Sequence, residues 1–289
     1  MSPMARQLRD RLALAGAVAA PGAADALTAR LVAQAGFPAV YMTGLGATAT
    51  RLGAPDLGLL SQVEMADQAR AMVRACAVPV IADADTGYGG PLNLRRVVED
   101  YAAAGVAAFH IEDQQIPKRC GQLSGAKLVP VSEAARRLQA AVAARDASGS
   151  GMLVIGRTDA LGVEGMEAAL DRARAYQDAG VDLVFVDGIK TRAQLEAVAQ
   201  HLPGPKVVSL VDGTDAALLR LDQISDMGFS ICLYALTTLL AGLTAQAAAL
   251  AHLSQTGAVR ADPAGFDYAR FSALVDLPGH QAFSHGYEE

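Results

Sequence analysis

The chain has 289 residues, 52% of them hydrophobic and 19% charged, with a formal net charge of −6. That balance provides for a large apolar core and excludes a disordered chain, while the length suits one large domain or two small ones. Mild acidity with no basic run longer than Lys118-Arg119 excludes a nucleic-acid surface, and no apolar run reaches the roughly 18 residues of a membrane span, so a soluble, cytoplasmic protein is expected.

The first apolar run, 12–20 (LALAGAVAA), has the look of a signal-peptide core. The periodic stretch after it, PGAADALTARLVAQAGF, continues the fold as a helix, so 12–20 is read as a strand. Further β-type runs follow at 37–44, 78–85, 107–113, 152–159, 183–188, 206–213 and 228–235, each trailed by a helical stretch rich in Ala, Leu and Arg. Runs that are apolar on both faces and alternate with helices imply a parallel sheet covered by helices. Four of the strands are introduced by Ala-Gly or Met-Gly, at Gly36, Gly105, Gly180 and Gly228, the residue expected just past a helix end. Eight such units predict an α/β fold of the (β/α)8 barrel type, a single domain over 1–289. An open doubly wound sheet is the alternative, weakened by the lack of a Gly-rich phosphate turn after the first strand. Residues 237–289 read as a C-terminal helical extension; its opening helix, TTLLAGLTAQAAALAHL, is too apolar to face solvent and is expected to pack at a subunit interface or on its own barrel.

In such a barrel the chemistry gathers at the carboxyl ends of the strands. In DADTGYG, alternation points Asp83 and Asp85 to one side, where two close carboxylates need a proton or a cation between them. A hard divalent ion, Mg2+ with Mn2+ as a substitute, suits that pair, with Glu112 and Asp56 as further acids at the rim. The competing reading has Asp85 and Thr86 capping the next helix and Asp83 paired with an arginine. Arg157 leaves an apolar strand and suits a carboxylate or phosphate, or a structural partner such as Asp83 or Asp187. His110 lies within its strand and reads as a core histidine. Of three cysteines, Cys76 and Cys232 read as small buried apolar residues; Cys120 follows Lys118-Arg119 in a loop with Gly121 and Gly125. Its thiol is drawn down by the cations and up by burial, and on a mobile lid it would move a proton or attack as a nucleophile.

The motifs DADTGYG, IEDQ, PKRCG and GRTDA, in that order, resemble those of the isocitrate lyase and phosphoenolpyruvate mutase superfamily, nearest the 2-methylisocitrate and 2,3-dimethylmalate lyases. The resemblance runs from Pro21 to Ala160 and more weakly to Leu240. It implies a Mg2+-binding barrel assembled as a homotetramer with C-terminal helices exchanged between paired subunits. It also implies metal service by Asp83, Asp85, Asp56 and Glu112, and a carboxylate-binding turn at Thr43, Gly44 and Leu45. Arg157 and Arg119 would bind substrate beside Gly121, Gln122, Asp187 and Ser209. Cys120 would protonate an enediolate carbon, and Tyr41 or a metal-bound group would act on a hydroxyl proton.

The implied reaction cleaves the Cα–Cβ bond of a 2-hydroxy di- or tricarboxylic acid, giving a 2-oxo acid and a second carboxylic acid. Several positions depart from the lyase pattern: Gln122 replaces a histidine, Asp187 a glutamate, Ser209 an asparagine, and Leu45 a smaller residue. These departures imply a smaller or more apolar substrate than 2-methylisocitrate. An oxaloacetate hydrolase, a phosphonomutase and a non-catalytic metal- and carboxylate-binding barrel are the competing readings, and retention of Cys120 favours carbon–carbon cleavage.

Overall fold

The computed structural model describes residues 1–259 and 265–288. Eight parallel strands close into one barrel in chain order: β1 (Val18–Ala23), β2 (Val40–Met42), β3 (Val80–Asp83), β4 (Ala108–Glu112), β5 (Leu153–Thr158), β6 (Leu183–Val186), β7 (Lys206–Leu210) and β8 (Ile231–Tyr234). β8 pairs with β1, so no edge is left unpaired. The strands are buried almost throughout, as apolarity on both faces requires. The glycines before β2, β4, β6 and β8 hold φ between 82 and 89°, the left-handed geometry that ends each helix.

Alternation sorts each strand into two series. Val40, Met42, Val80, Ala82, Phe109, Ile111, Val154, Val184 and Val208 face outward into a core shared with the helices. Tyr41, Ile81, Ala108, Ile155, Phe185, Val207 and Leu233 face inward and fill the barrel. Continued to the carboxyl ends, the inward series reaches Thr43, Asp83, Glu112, Arg157, Asp187 and Ser209, which is why polar side chains collect at that end.

The start of the chain departs from the sequence reading. Residues 12–20 are not the first strand: a helix, Pro3–Leu12, precedes it, and β1 runs further, to Ala23. Ser2 caps the helix by accepting from Ala5 N–H, and Pro3 sits at its first position. Leu8, fully buried, packs with Val18, Leu153, Leu183 and Ile231 in the inner cluster, with Met4 and Leu12 partly buried against it. Arg9 binds Gly151 C=O at 3.1 Å and Asp182 at 3.1 Å, just before β5 and β6 begin. The helix therefore closes the amino end of the barrel, opposite the polar rim.

The chain divides into two compact units, Met1–Thr237 and Thr238–Glu289. In the second, the helix Thr237–Thr256 buries none of its residues and exposes Leu243, Leu250 and Leu253. Among the described residues no helix is long and apolar enough to cross a membrane.

Candidate active site

Asp83 ends β3, and Asp85 reaches the same rim by a turn rather than by strand alternation: its φ is +46°, and its N–H donates to Asp83 Oδ1 at 2.8 Å. It caps no helix, since the next helix, Pro91–Ala104, has Gly90 at its N-cap. Asp83 Oδ2 accepts the N–H of Gly44 at 3.2 Å. A Cβ on Gly44 would stand 2.4 Å from that oxygen, so only glycine lets the helix Gly44–Leu52 start so close to the carboxylate. Thr43 caps this helix by accepting from Gly46 N–H. Deeper in the barrel His110 shares a 3.0 Å hydrogen bond with the Tyr41 hydroxyl and lies 3.7 Å from Asp83. Burial lowers His110 to about 4 and raises Tyr41 well above a phenol's usual value, so both are neutral at pH 7 and the Asp83–His110 contact is not an ion pair.

Lys118, only 4% exposed, lies with its ammonium 2.5 Å from Asp56 and 2.7 Å from Asp85. Burial alone would lower it, but Glu112, Asp85, Asp83 and Asp56 outweigh burial and keep it charged. Burial raises Asp85 to about 6 against the pull of Lys118, and raises Glu112 well above a usual carboxyl. On Asp83, with His110 neutral, burial is opposed by Lys118, Arg157 and the Asp85 N–H, and the result is a carboxylate held below its usual value.

Among the described residues no three acids or other donors converge on one point as a ready metal cage. The donor set nevertheless fits a hard divalent cation. Asp56, Asp83, Asp85, Glu112, Asp159 and Asp187 are buried, with Lys118 and Arg157 as the buried cations beside them, and among the described residues Glu112 Oε1 is a buried acceptor without a hydrogen-bond partner. Asp85 Oδ1 likewise lacks a hydrogen bond of good angle, although Lys118 is at ion-pair distance; the distance decides that contact.

Arg157 is buried and held from three sides. It bonds Asp187 at 2.6 Å and Asp159 at 3.0 Å, lies 3.5 Å from Glu112 on the neighbouring strand, and stacks 5.4 Å from the Phe185 ring centre. The expected structural pairing is therefore made, with Asp187 rather than Asp83 as the direct partner.

The loop after β4 folds down over this cluster as a flap. Its base is tied by a Gln114–Leu128 bridge and by Gln115 N–H to Lys127 C=O at 2.7 Å. Its tip is tied by Cys120 N–H to Asp56 C=O at 3.1 Å. Gly121 lies so near the cluster that a Cβ there would be 2.3 Å from Asp187 Oδ2 and 2.9 Å from Arg157 Nη2. Any side chain at 121 would lift the flap. Beneath it is a cavity of about 50 Å3, lined by Tyr41, Thr43, Leu45, Asp56, Asp83, Cys120, Gly121, Gln122, Arg157, Asp187 and Ser209, with Phe185, Val211, Ala235 and Leu236 as an apolar wall. The flap tip thus rests against the cluster beside this cavity.

The profile of the phosphoenolpyruvate phosphomutase family matches residues 8–254. The chain belongs to that family. It is 40% identical to the 2,3-dimethylmalate lyase of Eubacterium barkeri over 80% of this chain and 79% of that protein. Among solved structures, oxaloacetate acetylhydrolase in complex with 3,3-difluorooxalacetate superposes with a TM-score of 0.93 at 36% identity, covering 99% of this chain and 98% of that one. Phosphonopyruvate hydrolase in complex with oxalate and Mg++ gives a TM-score of 0.88 at 29% identity over 99% of each chain. The protein is thus an enzyme of a superfamily that holds lyases, hydrolases and phosphomutases on one barrel.

On this family member most of the residues singled out in the sequence meet around one cavity, and four, Gly44, Asp85, Glu112 and Arg119, do not line it; Asp85 is turned to Lys118. Arg119 is exposed, its side chain beside Gly125 and away from the cavity. The Gly44 N–H is already spent on Asp83. Glu112 stands behind Arg157. Lys118, expected to act on the thiol, is turned instead to Asp56 and Asp85. Burial pushes the Cys120 thiol up, and Arg157 and a backbone bond at Gln122 only partly oppose it. The sequence reading missed the buried amide of Gln114, whose signal was a polar residue directly after two strand-end acids.

Proposed function

We propose that the protein is a Mg2+-dependent carbon–carbon lyase that cleaves a 2-hydroxy dicarboxylic acid into a 2-oxo acid and a second carboxylic acid. The observation that carries this reading is a neutral thiol, Cys120, on a closed flap above the same small cavity that Tyr41, Thr43, Asp83 and Arg157 line. Asp85, Asp83 and Asp56, with Glu112 behind them, would hold Mg2+ or Mn2+. Bound there, the ion would bind the substrate's hydroxyl and neighbouring carboxylate and ease loss of the hydroxyl proton.

The chain's own groups supply the rest. Tyr41, neutral and facing the cavity, can take that proton only by passing its own to His110 Nε2, 3.0 Å away, so the two would act as a relay. As the Cα–Cβ bond breaks, charge moves onto the departing acid as an enediolate, and the guanidinium of Arg157 stabilises it. Cys120 keeps its proton at neutral pH and gives it to the enediolate carbon. Leu45, Val211, Ala235 and Leu236 give the cavity an apolar wall, which favours a substrate with small apolar substituents over a tricarboxylate.

The structural likeness to an oxaloacetate acetylhydrolase supports a hydrolase as the second reading. A panel of alkylmalates, 2-methylisocitrate and oxaloacetate, incubated with and without Mg2+, separates the two. Pyruvate or another 2-oxo acid formed from a malate is the expected result. Oxalate and acetate from oxaloacetate alone would replace the lyase by the hydrolase, and no product from any diacid would overturn both.

We also propose assembly as a homotetramer, with C-terminal helices exchanged between paired subunits. The resemblance to the lyases and the exposed leucines of Thr237–Thr256 support it. Sedimentation at four times the chain mass is expected, and a monomer at micromolar concentration would contradict it.

A further inference from the structure

We infer that Gln114 is the latch of the flap, a positioning residue that holds Cys120 over the cavity and links that closed state to the orientation of Arg157. Gln114 is 0% exposed. Its side-chain oxygen accepts the N–H of Arg119 at 2.8 Å, and its side-chain nitrogen donates to the C=O of the same residue at 2.8 Å. The amide therefore reads both backbone groups of the residue just before Cys120, as a strand neighbour would. The same nitrogen donates to Asp159 Oδ2 at 2.5 Å, and Asp159 Oδ1 accepts from Arg157 Nε at 3.0 Å. One unbroken hydrogen-bonded line thus runs from the flap backbone to the guanidinium.

Only an amide of this length does all three jobs. A carboxylate has no hydrogen to give to Arg119 C=O or to Asp159, and an apolar side chain of equal volume has no partner for any of them. When the flap lifts, the Gln114 oxygen and one of its N–H groups lose their partners, so the amide favours the closed state. The flap comes down with Cys120 already placed and with Asp159 fixed in the position that aims Arg157.

The inference rests on reading the flap as the lid of the proposed lyase, but its test does not need turnover. Cys76 and Cys232 are buried and Cys120 is partly exposed, so alkylation by iodoacetamide reports on the flap while the other two thiols report on the whole fold. In Gln114→Met, which keeps the volume and loses the three bonds, Cys120 should label about tenfold faster or more, with Cys76 and Cys232 as protected as in the wild type. Gln114→Glu, which keeps one acceptor and loses both donations, should do the same and serves if the Met variant folds poorly. A Cys120 rate within about twofold of wild type in both variants, or equal acceleration at all three thiols, would overturn the latch. Oxalate with Mg2+ should slow wild-type labelling further; loss of that protection with the acceleration intact counts against the lyase and leaves the latch standing.

Discussion

Replacing Cys120 by serine should lower the rate of 2-oxo acid release by about 10²–10⁴-fold, the usual contribution of a positioned general acid. The thiol is half-buried, and burial raises its pKa with Asp56 adding to the effect. A raised pKa disfavours the thiolate and so counts against the nucleophilic role of the two that the sequence left open. It suits the role of donor, since the group arrives with its proton and faces a strongly basic carbon. Serine keeps the size and the hydrogen bonds, but its hydroxyl is a far weaker acid. The backbone tie from residue 120 to Asp56 C=O is untouched, so flap closure and metal affinity should stay near wild type. Steady-state kcat with Mg2+ titration in parallel checks this, and near-normal turnover in Cys120→Ser would remove the thiol from the mechanism.

Arg157→Leu should have the largest effect on stability. The guanidinium is the shared partner of Asp159, Asp187 and Glu112, all buried. Removing one member of a buried ion set leaves uncompensated charge, which costs about 3–5 kcal/mol. For a chain of this size that corresponds to a fall in Tm of roughly 10 °C. Burial already raises Asp187, held in check chiefly by Arg157, so without the arginine it rises further. Thermal melts by circular dichroism decide it. A fall of less than about 2 °C would mean that water or protons satisfy these carboxylates without the arginine.

The barrel was legible in the sequence because its strands are apolar on both faces and its helices end on glycine, two signals that act within a few residues. The first strand was misplaced because LALAGAVAA joins the end of a helix, a turn at Gly16 and the start of β1 in one apolar run, and tertiary packing of Leu8 decides where helix stops and strand begins. The inward series of the site followed from alternation: Thr43, Asp83, Arg157, Asp187 and Ser209 all line the cavity. What did not follow was the direction of side chains on the flap. Lys118, Arg119 and Cys120 are adjacent in sequence, yet one reaches Asp56 and Asp85, one faces solvent and one faces the cavity. Such partition depends on contacts across more than 30 residues of chain. Gln114 stood in the IEDQ motif, but its role did not follow from it, since its partners Arg119 and Asp159 are brought together only by the folded flap.

The amino-terminal helix stoppers the barrel with Leu8, so among the described residues the polar rim is the open end. A reaction that makes two molecules from one must then send both out the way the substrate came in. In the proposed lyase departure would be sequential, with the fragment nearer the mouth leaving first and the deeper one waiting behind it, and each turnover would include at least one raising of the flap.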